Sequence, residues 1–184
     1  LDRVIEIKEQ PSYEGQTLIT QSVGMDADAH VLSLALAESG KINLVSLQYI
    51  DFRAAKDEDP EIKEQGILKT SESLSLAGAD ANTRGILVGQ DWYFVVGNKV
   101  YTSPVLKPQL ADLTTLPDDL GVPVAVAVTS KETHLIIATY DAGSSHENKG
   151  SFALVDLTTK EVKVHRNVMG KCVVAKGYDA NPWF

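Results

Sequence analysis

Apolar and polar residues alternate with a period of two in short runs, and turn-forming residues bound those runs. That pattern marks strands with one buried face. Val4-Ile5-Glu6-Ile7-Lys8 is the first run, and Gln16 to Gln21 follows across Pro11 and Gly15. Leu32, Leu34 and Leu36 alternate with Ser33, Ala35 and Ala37, and Glu38-Ser39-Gly40-Lys41 then turns into the β-rich run Ile42 to Phe52. These two runs predict a hairpin. A sharper hairpin joins Trp92-Tyr93-Phe94-Val95-Val96 to Lys99-Val100-Tyr101-Thr102 across Gly97-Asn98. Glycine accepts positive φ freely and asparagine better than most residues, so this pair suits a tight primed turn.

The pattern continues in the second half. Val124 to Thr129 turns at Ser130-Lys131-Glu132-Thr133 into His134 to Tyr140. A polar loop, Asp141 to Gly150, leads to Ser151 to Leu157. Thr158-Thr159-Lys160 then turns into Glu161 to His165, where Val162 and Val164 share a face. Helix signals are few. Asp59-Pro60-Glu61-Ile62-Lys63-Glu64-Gln65-Gly66 has an N-cap, a first-position proline and a closing glycine, and predicts two helical turns in a charged insertion. Leu116-Pro117-Asp118-Asp119-Leu120-Gly121 predicts a single turn. Neither carries an apolar stripe long enough to form a layer. The expected class is all-β, built from antiparallel hairpins.

Three short segments resemble one another: Gly24-Met25-Asp26-Ala27-Asp28, Gly78-Ala79-Asp80-Ala81-Asn82 and Gly177-Tyr178-Asp179-Ala180-Asn181. Each reads G-x-D-A-[DN], and the second spacing is close to twice the first. Units of ~50 residues holding about four short strands are the signature of propeller blades. The spacing predicts a single all-β domain over 1–184, with units at 24–77, 78–120 and 121–176. Residues 177–184 would begin a further unit pairing with 1–23. Four-stranded units of that size imply a partial or small propeller-like array. The bland role of each Asp-Ala-[Asp/Asn] is an Asx-turn at a strand entry. The sharper role is a set of polar groups on one face, with Asp26, Asp28, Asp80, Asn82, Asp179 and Asn181 as ligand-binding candidates. The dense Asp spacing of a calcium loop is missing.

Composition narrows the function classes. The 184 residues are 43% hydrophobic and 23% charged, with a net charge of -8. A surface of that sign repels phosphate backbones, so nucleic acid is not an expected partner. No stretch reaches the ~18 apolar residues that would span a bilayer. Cys172 is the only cysteine, which excludes an internal disulfide and a cysteine-based zinc site. The chain begins at Leu1 without methionine, signal peptide or lipidation box, and so reads as a processed form or a piece of something longer.

No nucleophile elbow, phosphate loop, dinucleotide fingerprint or zinc-protease motif occurs. No catalytic residue, metal or cofactor is therefore expected. His146-Glu147 lacks the second histidine of a helical zinc site. Ser145, His146 and Glu147 lie in the polar 141–150 loop and are ligand-binding candidates, because loops carry binding groups on rigid scaffolds. His30, His134 and His165 read as surface histidines. Trp92 is a candidate for stacking on a sugar ring, with core packing as the plainer reading. Trp183-Phe184 after Pro182 is expected to dock the terminus onto a neighbouring unit.

Ser151-Phe152-Ala153-Leu154-Val155-Asp156-Leu157-Thr158-Thr159-Lys160-Glu161-Val162 resembles the inner hairpins of bacterial propellers. The Trp92 to Tyr101 hairpin resembles another blade element, an aromatic strand, a Gly-Asn turn and then Val-Tyr. Together, over residues 24 to 184, the chain resembles the propeller-like C-terminal region of PKD-type surface lipoproteins from Bacteroides-like bacteria. It lacks Trp-Asp and Gly-His blade signatures, and it holds barely more than three units. A fragment, an open sheet stack and a shape closed by a second chain are the alternatives. The resemblance implies a cell-envelope or secreted location and a binding or scaffold role, with glycan or another envelope protein as partner. Two other readings stand beside it. One is a carboxylate-dependent glycan hydrolase or lyase using Asp26, Asp28, Asp80 and Asp179. The other is an assembly protein whose unpaired edge strands close by homo-oligomerisation.

Overall fold

The computed structural model of the chain describes residues 16–19, 24–26, 31–51 and 65–170. The described residues form three antiparallel sheets, each following the chain in order. The first contains β1 (Thr17–Leu18), β2 (Gly24–Asp26), β3 (Val31–Glu38), β4 (Lys41–Asp51) and β5 (Gln65–Ser75). β1 and β2 both lie along β3, one on Leu36 and Ala37 and the other on Val31 to Ser33. They share one edge position, so this sheet is four strands across. The second sheet runs β6 (Arg84–Val88), β7 (Asp91–Val96), β8 (Lys99–Pro104) and β9 (Ala111–Thr115). The third runs β10 (Val122–Val128), β11 (His134–Tyr140), β12 (Gly150–Asp156) and β13 (Val162–Met169).

The hairpins follow from the sequence pattern. Glu38 pairs with Lys41, and Val96 with Lys99, each across a two-residue turn. Gly97 takes φ 56°, the left-handed conformation that a primed hairpin turn with glycine first requires. Between the second and third sheets, Asp118–Leu120 forms the single turn expected there, as a 3-10 helix. The predicted helix over 59–66 fares differently. Residues 59–64 lie outside the described residues, while Gln65 and Gly66 belong to β5, where Gly66 is the partner of Ile50. Strand pairing claims the glycine that would have closed a helix. Val4 to Lys8, Cys172, Trp183 and Phe184 also lie outside the described residues.

Alternation in β7 gives the second sheet two buried faces. Side chains on a strand point to opposite sides in turn. Trp92 (2% exposed) and Phe94 (0%) therefore face one way and Val95 (0%) the other. Trp92 and Phe94 join Ile19, Ala35, Ala37, Ile42, Leu44 and Leu74 in a core between the first and second sheets. Val95 joins Ile86, Val88 and Val100 of its own sheet, with Val126, Leu135, Ile137 and Val155 of the third, in a second core. The small Ala35 and Ala37 leave room for the two large rings opposite. Full burial of a Phe-sized side chain contributes about 1.5–3 kcal/mol. The second sheet thus holds the stack together from its middle.

The opening segments of the three sheets stand beside one another. Gly85 N donates to Ile19 O at 2.9 Å, joining the start of the second sheet to the segment after β1. Arg84 Nε donates to Val124 O at 3.0 Å, joining β6 to β10. The link from β9 to β10 is seated as well. Leu116 N donates to Asn98 O at 2.7 Å, and the Asn98 side-chain amide donates to Asp118. Leu116 and Leu120 are buried in the second core.

Candidate functional site

Of the three G-x-D-A-[DN] segments, Gly78 to Asn82 is described throughout, and of the first only Gly24 to Asp26. Gly24, Met25 and Asp26 form β2, with Gly24 opposite Ser33 and Asp26 opposite Val31. Gly78 to Asn82 instead form the turn that enters β6, with Gly78 at φ 85°. Asp28, Asp179 and Asn181 lie outside the described residues.

The second copy is an Asx-turn in full. Asp80 Oδ1 accepts from Asn82 N at 2.8 Å, and Asp80 Oδ2 from Asn82 Nδ2 at 3.3 Å. Asp80 N donates to Thr83 Oγ1 at 2.9 Å, while Thr83 N donates back to Asp80 O at 3.1 Å. Arg84 then closes the turn from below. Its Nη1 donates to Ala81 O at 2.9 Å and Thr83 O at 2.8 Å, while its Nε reaches β10. Burial pushes the guanidinium below its ordinary pKa, and the Asp80 carboxylate opposes that shift. Arginine suits this place because its rigid fork serves several acceptors at once. Both Asp80 oxygens are occupied within the turn, although Asp80 and Asn82 themselves are exposed.

At one end of the third sheet, Tyr140 pairs with Gly150 and the 141–150 loop projects beyond them. The loop is tied to itself. Asp141 Oδ1 accepts from Gly143 N at 2.9 Å, His146 N donates to Ser144 Oγ at 3.2 Å, and Lys149 Nζ donates to Ala142 O at 2.9 Å. Asp141 N also donates to Lys149 O at 3.0 Å, closing the base. Ser145, His146 and Glu147 sit exposed on this framework. Nearby, Arg166 of β13 forms a two-pronged ion pair with Asp119, at 2.9 and 3.1 Å. That pair holds the Asp119 carboxyl below its usual range and raises the Arg166 guanidinium.

The opposite end of the third sheet carries a side-chain network that the sequence pattern does not announce. His134 and Asp156 are register partners on β11 and β12. His134 Nε2 lies 3.4 Å from Asp156 Oδ2, and His134 Nδ1 lies 2.9 Å from Thr133 Oγ1. Asp156 Oδ1 accepts from the amides of Thr158 and Thr159, both at 2.8 Å. The Thr159 and Thr158 amides, with a smaller contribution from His134, hold the Asp156 carboxyl below its usual range. Leu157 N donates to Thr133 O at 2.9 Å, so the β10–β11 and β12–β13 turns are joined through backbone and side chain together. Only the strand register brings His134 to Asp156, because they stand far apart in sequence.

Trp92 does not present its ring to a ligand. It is 2% exposed and stacks on Phe94 with centroids 5.9 Å apart and planes inclined by 12°. His165, by contrast, is exposed and stacks on its cross-strand neighbour Phe152 at 4.5 Å. Among the described residues, no three His, Cys, Asp or Glu side chains group so as to hold a metal ion. Compared with known proteins, the chain matches no family model and no curated relative.

Proposed function

We propose that the chain is a non-catalytic binding or structural module whose sheets are successive blades of a β-propeller. One observation carries this reading. Three sequence-ordered antiparallel sheets are stacked face to face, and their opening segments lie side by side through Gly85–Ile19 and Arg84–Val124. Blades of a propeller are four-stranded sheets arranged radially in that manner. The units expected from sequence spacing lend further support, as does the resemblance of the 92–101 and 151–162 hairpins to blade elements. The polar groups near Asp80 are occupied in turn-building, which favours a scaffold over a carboxylate catalyst at that position.

Binding on this reading falls to exposed loops at one end of the third sheet. Ser145, His146 and Glu147 supply hydroxyl, imidazole and carboxylate groups on a self-braced loop. Glycan or an envelope protein is the ligand class, and the cell envelope or the secreted space is the location. Among the described residues, no helix is long and apolar enough to cross a membrane. A glycan array, followed by pull-downs from a cell-envelope fraction, tests the binding claim. Retention that is lost in a Ser145→Ala/His146→Ala/Glu147→Ala variant of unchanged stability supports it. Equal retention by that variant removes the loop from the proposal.

A further inference from the structure

We draw no further inference here: the strongest candidate, the Thr133–His134–Asp156 hydroxyl–imidazole–carboxylate chain between the β10–β11 and β12–β13 turns, belongs to the turn-joining network already described, and the Glu132, Thr133 and His134 amides all bond within the first of those turns.

Discussion

Replacing Gly121 with alanine tests how tightly the link between the second and third sheets is seated. Gly121 has φ 79° and ψ -157°, a region that is essentially reserved for glycine. A residue forced to stay there carries strain of about 1–3 kcal/mol. Space is short as well. A Cβ on Gly121 would lie 2.5 Å from Tyr140 O, 2.6 Å from Tyr140 C and 2.7 Å from Asp141 N. Those are backbone atoms of β11 and its exit, so no side-chain rotation relieves the clash. Overpacking of this kind typically costs a further ~1–3 kcal/mol. Together the expected loss is about 2–6 kcal/mol, which lowers Tm by roughly 5–20 °C in a domain of this size. The control is Gly97→Ala, where φ is 56° but nothing lies within 4 Å of the new Cβ. It carries strain without the clash. Urea unfolding and thermal melts followed by circular dichroism measure both variants. If Gly121→Ala melts like Gly97→Ala, the link is not packed against β11 and the seating described above is wrong.

Four further outcomes follow from individual contacts. Arg84→Ala removes three bonds to backbone carbonyls and should cost about 1.5–3 kcal/mol in urea unfolding; Arg84→Lys should recover only part, since lysine lacks the fork. Phe94→Ala empties a fully buried site between the first two sheets and should cost about 3–5 kcal/mol, with a loss under ~1 kcal/mol showing that this core is not formed. Asp156 and Asp119 have folded pKa values below their unfolded value of ~3.9, so their contribution is present above that pH and lost as pH falls through the folded values. Stability measured from pH 7 downward should therefore fall less steeply on the acid side in Asp156→Asn, and an unchanged acid limb would contradict the lowered carboxyl. Alanine at Ser145, His146 and Glu147 should change stability by no more than ~0.5 kcal/mol, because all three are exposed.

Four hairpins were legible in the sequence because each combines clear alternation with an obvious turn: β3–β4, β7–β8, β10–β11 and β12–β13. β5 was hidden for a physical reason. Its run from Gly66 to Ser75 mixes Lys69, Thr70, Ser71, Glu72 and Ser73 with few apolar residues, so it looks like the tail of a charged insertion. It is an edge strand, and pairing along the whole of β4 supplies what its side chains do not. β9 is another edge strand, with Ala111 and Asp112 exposed and therefore no buried alternation to read. In the second G-x-D-A-[DN] segment the turn is completed by Thr83 and Arg84, which lie outside the five-residue pattern. The His134–Asp156 contact was beyond reach because register between strands decides it.

The second sheet is covered on both faces by its neighbours in the chain. Nuclear Overhauser spectroscopy on methyl- and aromatic-labelled protein tests it most directly. Cross-peaks are expected from Ile19 to Phe94 and Gly85 on one face, and from Val95 and Ile86 to Val126 and Ile137 on the other. Intact cross-strand peaks within each sheet, with either of those inter-sheet sets absent, would contradict it.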